Sequence, residues 1–303
     1  MSAAEFQKLA ALFPDEVVTH SYVQDIKLPG GSAGTIALIT LDNGLDHSKP
    51  TTLGGPNTLV ELGGVLEKLK ERASRGGNRW RRGGHRKAVL PGGRGRPFGR
   101  KNTQGTRARL WMAQLGHAVY STLADLGVPS FAFINGLALG GGLEIALQST
   151  YRTVSTGAGA LALPEAFIGL VPGWGGGVYI LPPRLIGPEN AVKVMIENPP
   201  LSNNRTLTGP QAFELGVADA MFEPADFVEQ SLAWAAQVIS GEVTPERKNS
   251  VDATDDAVTA RWAAAVAAGR AFVESKTSNA SPPPGQGLGR HGGQPHLDPS
   301  RVG

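Results

Sequence analysis

The chain has 303 residues, 41% of them hydrophobic, enough for one large domain or two small ones with a sizeable core. It has no cysteine, which excludes disulfides, thiolate metal sites and cysteine nucleophiles and suits a cytoplasmic protein. The net charge of +3 conceals two opposed parts: residues 72–109 hold 11 Arg and 2 Lys, and without those 13 the chain has 16 basic residues against 26 acidic ones, a net of −10.

Residues 4–12 have the apolar spacing of a short amphipathic helix. Residues 17–28 and 34–41 read as strands joined by a Pro-Gly-Gly turn. Residues 57–71 are helical, with Asn57 as the expected cap. The composition then changes to the Arg/Gly-rich stretch, and order returns near Trp111. Residues 112–126 form an amphipathic helix, and 128–134 (VPSFAFI) suit a strand buried on both faces. Three glycines, Gly140 to Gly142, lead into a helix at 143–148. Short strands are expected within 150–163, a helix start at Pro164-Glu165, and a glycine-rich loop over 172–177. Helices follow at 185–197, 209–215, 224–240 and 255–275, and from Ser281 the chain is Pro/Gly-rich and featureless. Strand and helix alternate in the first half and helix dominates the second, so the fold class is α/β with a helical C-terminal region. No apolar run of about 18 residues is present, so no membrane span is expected. The start, Met1-Ser2-Ala3-Ala4-Glu5, has no secretory signal pattern. The six histidines lack ligand spacing such as H-E-x-x-H, so no metal site is expected.

The chemistry points to one place. A buried strand ending in Asn135-Gly136, then three glycines, then a helix bearing Glu144 lets a substrate approach the backbone closely. The helix start offers unpaired N–H groups and a positive dipole end for a developing oxyanion. Glu165 lies 21 residues later in another first turn. Two carboxylates at one site can divide acid and base work. Each glutamate alone reads first as a solvated dipole partner, and Gly140–Gly142 alone as tight packing; neither a Walker nor a dinucleotide glycine pattern is present.

The combination decides between these readings. Phe133-Ile-Asn-Gly-Leu-Ala-Leu-Gly-Gly-Gly-Leu-Glu144, Leu163-Pro-Glu165 and Gly169-Leu-Val-Pro-Gly-Trp-Gly-Gly176 resemble the crotonase (enoyl-CoA hydratase/isomerase) superfamily. Leu207-Thr-Gly-Pro-Gln-Ala-Phe-Glu-Leu-Gly-Val-Ala-Asp219 is similar to that family's stretch after the core. The opening Ile39-Thr-Leu-Asp-Asn-Gly-Leu-Asp-His-Ser-Lys-Pro-Thr-Thr52 resembles the hydratase portion of actinobacterial multifunctional fatty-acid oxidation proteins, in which a hydroxyacyl-CoA dehydrogenase follows. The resemblance runs from about Thr35 to Phe222, excluding 73–109.

The resemblance implies a crotonase-like spiral of ββα units and hydration of a trans-2-enoyl-CoA in β-oxidation. The acyl-CoA thioester is then the partner, with no cofactor beyond the substrate's own coenzyme A. It implies that Gly141, with Gly140 beside it, gives one backbone N–H to the thioester oxygen. Glu144 and Glu165 hold a water between them, Glu165 protonates the α-carbon, and the Gly173 backbone helps to place the water. It also implies a homo-oligomer, trimer or hexamer, or a subunit of a fatty-acid oxidation complex. Relatives that only isomerise commonly keep just the second carboxylate.

One segment does not fit. The family takes its second oxyanion donor from a Gly-Ala-Asp-Leu-like loop, where this chain has Arg75-Gly-Gly-Asn-Arg-Trp-Arg-Arg-Gly-Gly84 and onward. Permitted codons for residues 83–98, GGHRKAVLPGGRGRPF, read one nucleotide on, give AVTGKPFFLAAGADL, which restores the loop. Residues 284–291, PGQGLGRH, shifted likewise give PAKALDA. Both segments therefore read as frameshifted translations, the second ending early a chain that would continue into a dehydrogenase domain. The rival readings are a plain insertion or an RNA-binding segment at 75–101. Loss of the second donor also allows an inactive acyl-CoA binder. The expected organisation is 1–72 as the first part of the crotonase domain, 73–109 disordered, 110–240 as its core, 241–278 as C-terminal helices and 279–303 as a disordered tail.

Overall fold

The computed structural model describes residues 3–30, 34–45, 53–75, 88–91, 106–168, 170–177, 185–201, 205–247, 249–250 and 256–277. After α1 (Ala3–Ala10), strands β1 (His20–Lys27) and β2 (Thr35–Asp42) form an antiparallel pair, Val23 opposite Ile39. β1 exposes most of its residues, as an outer strand does, whereas β2 buries Ile36, Ala37 and Ile39. Beyond β2 the sheet is parallel. β3 (Ala88–Pro91), β4 (Phe131–Ile134), β6 (Tyr151–Ser155) and β8 (Ala220–Phe222) follow in that order. All four residues of β4 are buried, as its unbroken apolar run requires of an inner strand. A second sheet has only β5 (Ala138–Leu139) and β7 (Leu161–Ala162), in parallel.

Helices cover these sheets. α2 (Pro56–Arg75) buries Leu59, Leu62, Leu66 and Leu69, a stripe at helical spacing. It shares an apolar cluster with Met112, Val119, Tyr120 and Leu123 of α3 (Thr106–Ala124). In the second half, α4 (Gly141–Gln148) and α5 (Gly187–Val192) lie in one cluster with Ala265, Val266 and Val273 of α8 (Asp256–Thr277). Arg261 of α8 also pairs with Glu189 of α5 at 2.8–2.9 Å. α6 (Gly209–Leu215) opens with a capping box between Thr208 and Gln211, and α7 (Phe227–Ser240) sets Trp234 edge-on to Phe131 of β4. The α/β expectation with a helical C-terminal region matches this arrangement.

Two local expectations need correction, and a third gains detail. Asn57 does not cap α2 with its side chain: Pro56 takes the first helical position, and Glu16 accepts hydrogen bonds from the Asn57 and Thr58 N–H groups at 3.1 and 2.9 Å. A carboxylate 41 residues upstream of Asn57 satisfies the helix start better than a lone amide. The segment 73–109, read as disordered, contributes the end of α2, all of β3 and the start of α3. Its one apolar triplet, Ala88-Val89-Leu90, fills the place between β2 and β4 that would otherwise leave two parallel strands unpaired. The helix expected over 185–197 closes as a π-helical turn, Lys193–Glu197. The rest of the Arg/Gly-rich segment, the expected RNA-binding and oxyanion-loop positions within it, and the tail 279–303 lie outside the described residues.

Candidate active site

The two-stranded sheet places the chemistry. β5 runs through Gly140 into α4, with Glu144 in its first turn. β7 runs into a 3-10 helix, Pro164–Ile168, with Glu165 second. Because β5 and β7 are parallel and in register, both carboxylates leave the same end of the same sheet. The Gly140 N–H donates to the Ala162 carbonyl at 2.9 Å, which extends the ladder by one residue and locks the two helix starts together.

Gly140 has φ 55° and ψ −125°, in the region that favours glycine, so this sharp exit from strand to helix needs that residue. A Cβ there would also lie 2.9 Å from Glu165 Oε1. Gly141 and Gly142 follow as the first residues of α4, where backbone N–H groups have no partner within the helix.

The carboxylates are buried, Glu144 at 2% exposure and Glu165 at 8%, but they are held differently. Glu144 accepts hydrogen bonds from the Trp174 N–H at 3.1 and 3.3 Å and from the Gly177 N–H at 3.2 Å. Burial raises its pKa to about 7, and the N–H donors of residues 174–177 restrain the rise. Glu165 Oε2 has no hydrogen-bond partner among the described residues. Burial, and then the neighbouring Glu144 charge, hold the Glu165 carboxyl well above its ordinary range. Glu165 is therefore the better proton holder of the pair. This gives Glu144 the character of a base and Glu165 that of an acid.

The structure brings together Gly140, Gly141, Glu144 and Glu165. Gly173 lies in the adjoining loop and is exposed, with Val171 O the nearest atom to a Cβ built there, at 3.5 Å. The groups that hold Glu144 come instead from Trp174 and Gly177, which motif reading did not single out. Tyr120 of α3 was missed as well. It is fully buried, packs edge-on to Trp174 with ring centroids 5.2 Å apart, and its hydroxyl lies 3.2 Å from a Cβ built on Gly141. Its helical spacing reads only as core. Among the described residues, no three His, Asp or Glu side chains are grouped to hold a metal, and no helix is long and apolar enough to cross a membrane.

A buried carboxylate pair beside a glycine turn, on paired parallel strands, defines an acid–base site on a crotonase fold. The chain belongs to the enoyl-CoA hydratase/isomerase family, whose sequence model matches residues 99–281. It is 39% identical over 124 residues to a fatty acid oxidation complex subunit alpha of Pseudomonas syringae pv. tomato, covering 41% of this chain and 16% of that protein. A subunit alpha from Idiomarina loihiensis is 32% identical over 176 residues, covering 55% and 23%. The chain thus matches less than a quarter of these relatives' length, and they lie outside the actinobacterial group expected from the opening motif. Two solved structures share the fold. Enoyl-CoA hydratase from Bacillus anthracis has TM-score 0.54 and 18% identity, covering 86% of this chain and 90% of that one. Human mitochondrial delta3-delta2-enoyl-CoA isomerase has TM-score 0.55 and 16% identity, covering 90% and 92%. A hydratase and an isomerase match equally well, so the fold does not separate the two reactions.

Proposed function

We propose that the chain hydrates a trans-2-enoyl-CoA thioester. The observation that carries this reading is the pair of buried carboxylates with different surroundings: Glu144 is held by the Trp174 and Gly177 N–H groups, whereas Glu165 Oε2 has no partner among the described residues. Glu144 takes a proton from a water as that water's oxygen bonds to the β-carbon. The C=C electrons move onto the thioester oxygen, where the Gly141 N–H meets the developing charge. Glu165 gives its proton to the α-carbon as the enolate collapses. One water is added, and passage of the new Glu144 proton to Glu165 resets the site. Gly173, beside Trp174, would hold the water through its backbone.

The family resemblance puts a second oxyanion donor after the third strand, within residues whose shifted reading restores Gly-Ala-Asp-Leu. With one donor missing, an inactive acyl-CoA binder is the second reading, since one such donor is worth about 10²–10³ in rate. The fatty acid oxidation complex relatives support a place in β-oxidation as a subunit of such a complex; a homo-oligomer, trimer or hexamer, and a cytoplasmic location complete the proposal.

Isomerisation is separated from hydration by the carboxylate it can lose. The experiment offers a 2-enoyl-CoA and a 3-enoyl-CoA to the full chain and to Glu144→Gln. Hydration by the full chain, lost about 10²–10⁴-fold in the variant, supports the proposal. Isomerisation that persists in Glu144→Gln without hydration by either protein contradicts it.

A further inference from the structure

The acid–base pair leaves one buried polar group beside it unused. Tyr120 Oη has no hydrogen-bond partner among the described residues, although the side chain is fully buried. A phenylalanine would fill the same space without the cost of an unsatisfied hydroxyl. The position of the hydroxyl is specific. It stands 3.2 Å from where a Gly141 Cβ would be, and Glu165 Oε1 stands 2.9 Å from where a Gly140 Cβ would be. Two polar groups therefore converge on adjacent glycines at the start of α4, and Glu165 Oε2 is itself unpartnered. The Trp174 ring, edge-on at 5.2 Å, also lies 2.8 Å from the Gly141 Cβ position, so indole and glycine fix the phenol from two sides.

We propose that Tyr120 is a positioning residue of the acid–base site: its hydroxyl donates a hydrogen bond through one water to the Glu144–Glu165 pair and so orients the water they share. This rests on the hydratase reading given above. Burial and the two neighbouring carboxylates hold the phenol well above its ordinary pKa, so it stays a neutral donor throughout the working pH range. The titratable groups facing it are Glu144 from α4 and Glu165 from the 3-10 helix; His117, one turn earlier on α3, lies against Gly175 of the same loop. A donor to a carboxylate favours its ionised form, so Tyr120 acts in the same direction on Glu144 as the Trp174 and Gly177 N–H groups.

The test is Tyr120→Phe in the full chain, read in two ways. With a short trans-2-enoyl-CoA, kcat is expected to fall about tenfold to a hundredfold, the rate equivalent of one hydrogen bond to a charged group, with KM little changed. The pH at which kcat rises to half its maximum is expected to move upward, because Glu144 has lost a donor. The second reading needs no turnover: denaturant unfolding from pH 5 to pH 9. If the hydroxyl serves the carboxylates, Tyr120→Phe loses more stability than the unaltered chain as pH rises. If the hydroxyl is merely stranded, the variant is more stable by the same amount at every pH, and its kcat and pH limb are unchanged; that outcome overturns the proposal. A chain that fails to hydrate any enoyl-CoA removes the hydratase reading, and the unfolding series still decides whether Tyr120 acts on the pair.

Discussion

Glu144 and Glu165 differ in their hydrogen-bond donors, and that difference divides the work. Each is a buried acid, and burial favours the neutral form of both. Three N–H contacts from the 174–177 loop give the Glu144 carboxylate some of the stabilisation that water would supply, whereas Glu165 Oε2 has none. The same difference predicts a stability profile. The pKa of Glu144 is about 7 in the fold and its ordinary value is 4.5. Below about pH 4.5 both folded and unfolded chains hold the proton. As pH rises the unfolded chain releases it first, so stability falls until the folded carboxyl ionises near pH 7. Glu165→Gln removes the second titrating group and the charge it shares with Glu144, so its stability is expected to fall less between pH 5 and 8, as followed by urea unfolding. An unchanged slope contradicts the coupling. The two glutamates and Gly140 were legible in the sequence because each lies in an unbroken motif. The donors to Glu144 were not, because a backbone N–H carries no residue signature and reaches its acceptor across 30 or 33 positions. Tyr120 was hidden for a related reason: one aromatic on an amphipathic helix reads as core until its hydroxyl is placed.

Three pieces of backbone make the site: the β5–β7 pair, the start of α4, and the loop over 172–177. The loop passes so close to α4 that a Cβ on Gly176 would sit 2.2 Å from the Glu144 carbonyl oxygen and 2.6 Å from its Cα. Backbone atoms at that distance cannot give way as a flexible side chain would. Gly176→Ala is therefore expected to push the loop off the helix and draw the Trp174 and Gly177 N–H groups away from Glu144. Hydration should drop about 100-fold, since a displacement of about 1 Å is enough for such a loss. A Cβ on Gly173 would make only an ordinary contact, 3.5 Å from Val171 O, so Gly173→Ala should keep the fold, and the two variants together separate loop packing from local backbone effects. Full activity in Gly176→Ala contradicts this account of the loop. Long periodic elements such as α2, α3 and α8 were legible from spacing alone. β3, β5 and β8, of two to four residues each, have too little pattern to be read without their partners. The cap on α2 was misread because Glu16 acts on it from another part of the chain.

At the scale of the molecule, a chain that is acidic elsewhere carries a basic segment, 72–109, where the family resemblance puts an oxyanion loop. The parallel sheet nevertheless closes, because Ala88–Pro91 pairs with both β2 and β4. The frameshift account predicts that the gene, resequenced from independent clones, shows single-nucleotide changes that shift the frame within the codons for residues 73–109. An uninterrupted frame through that stretch contradicts it and restores the natural insertion. A restored Gly-Ala-Asp-Leu loop would supply the second donor to the thioester oxygen, so the reading frame bears on rate as well as on lineage. The most direct test of the central claim is the rate of water addition to crotonyl-CoA by the full chain, measured beside Glu144→Gln. The account predicts turnover at least about 100-fold above the variant. Turnover indistinguishable from the variant would show that the buried pair does not perform hydration in this chain.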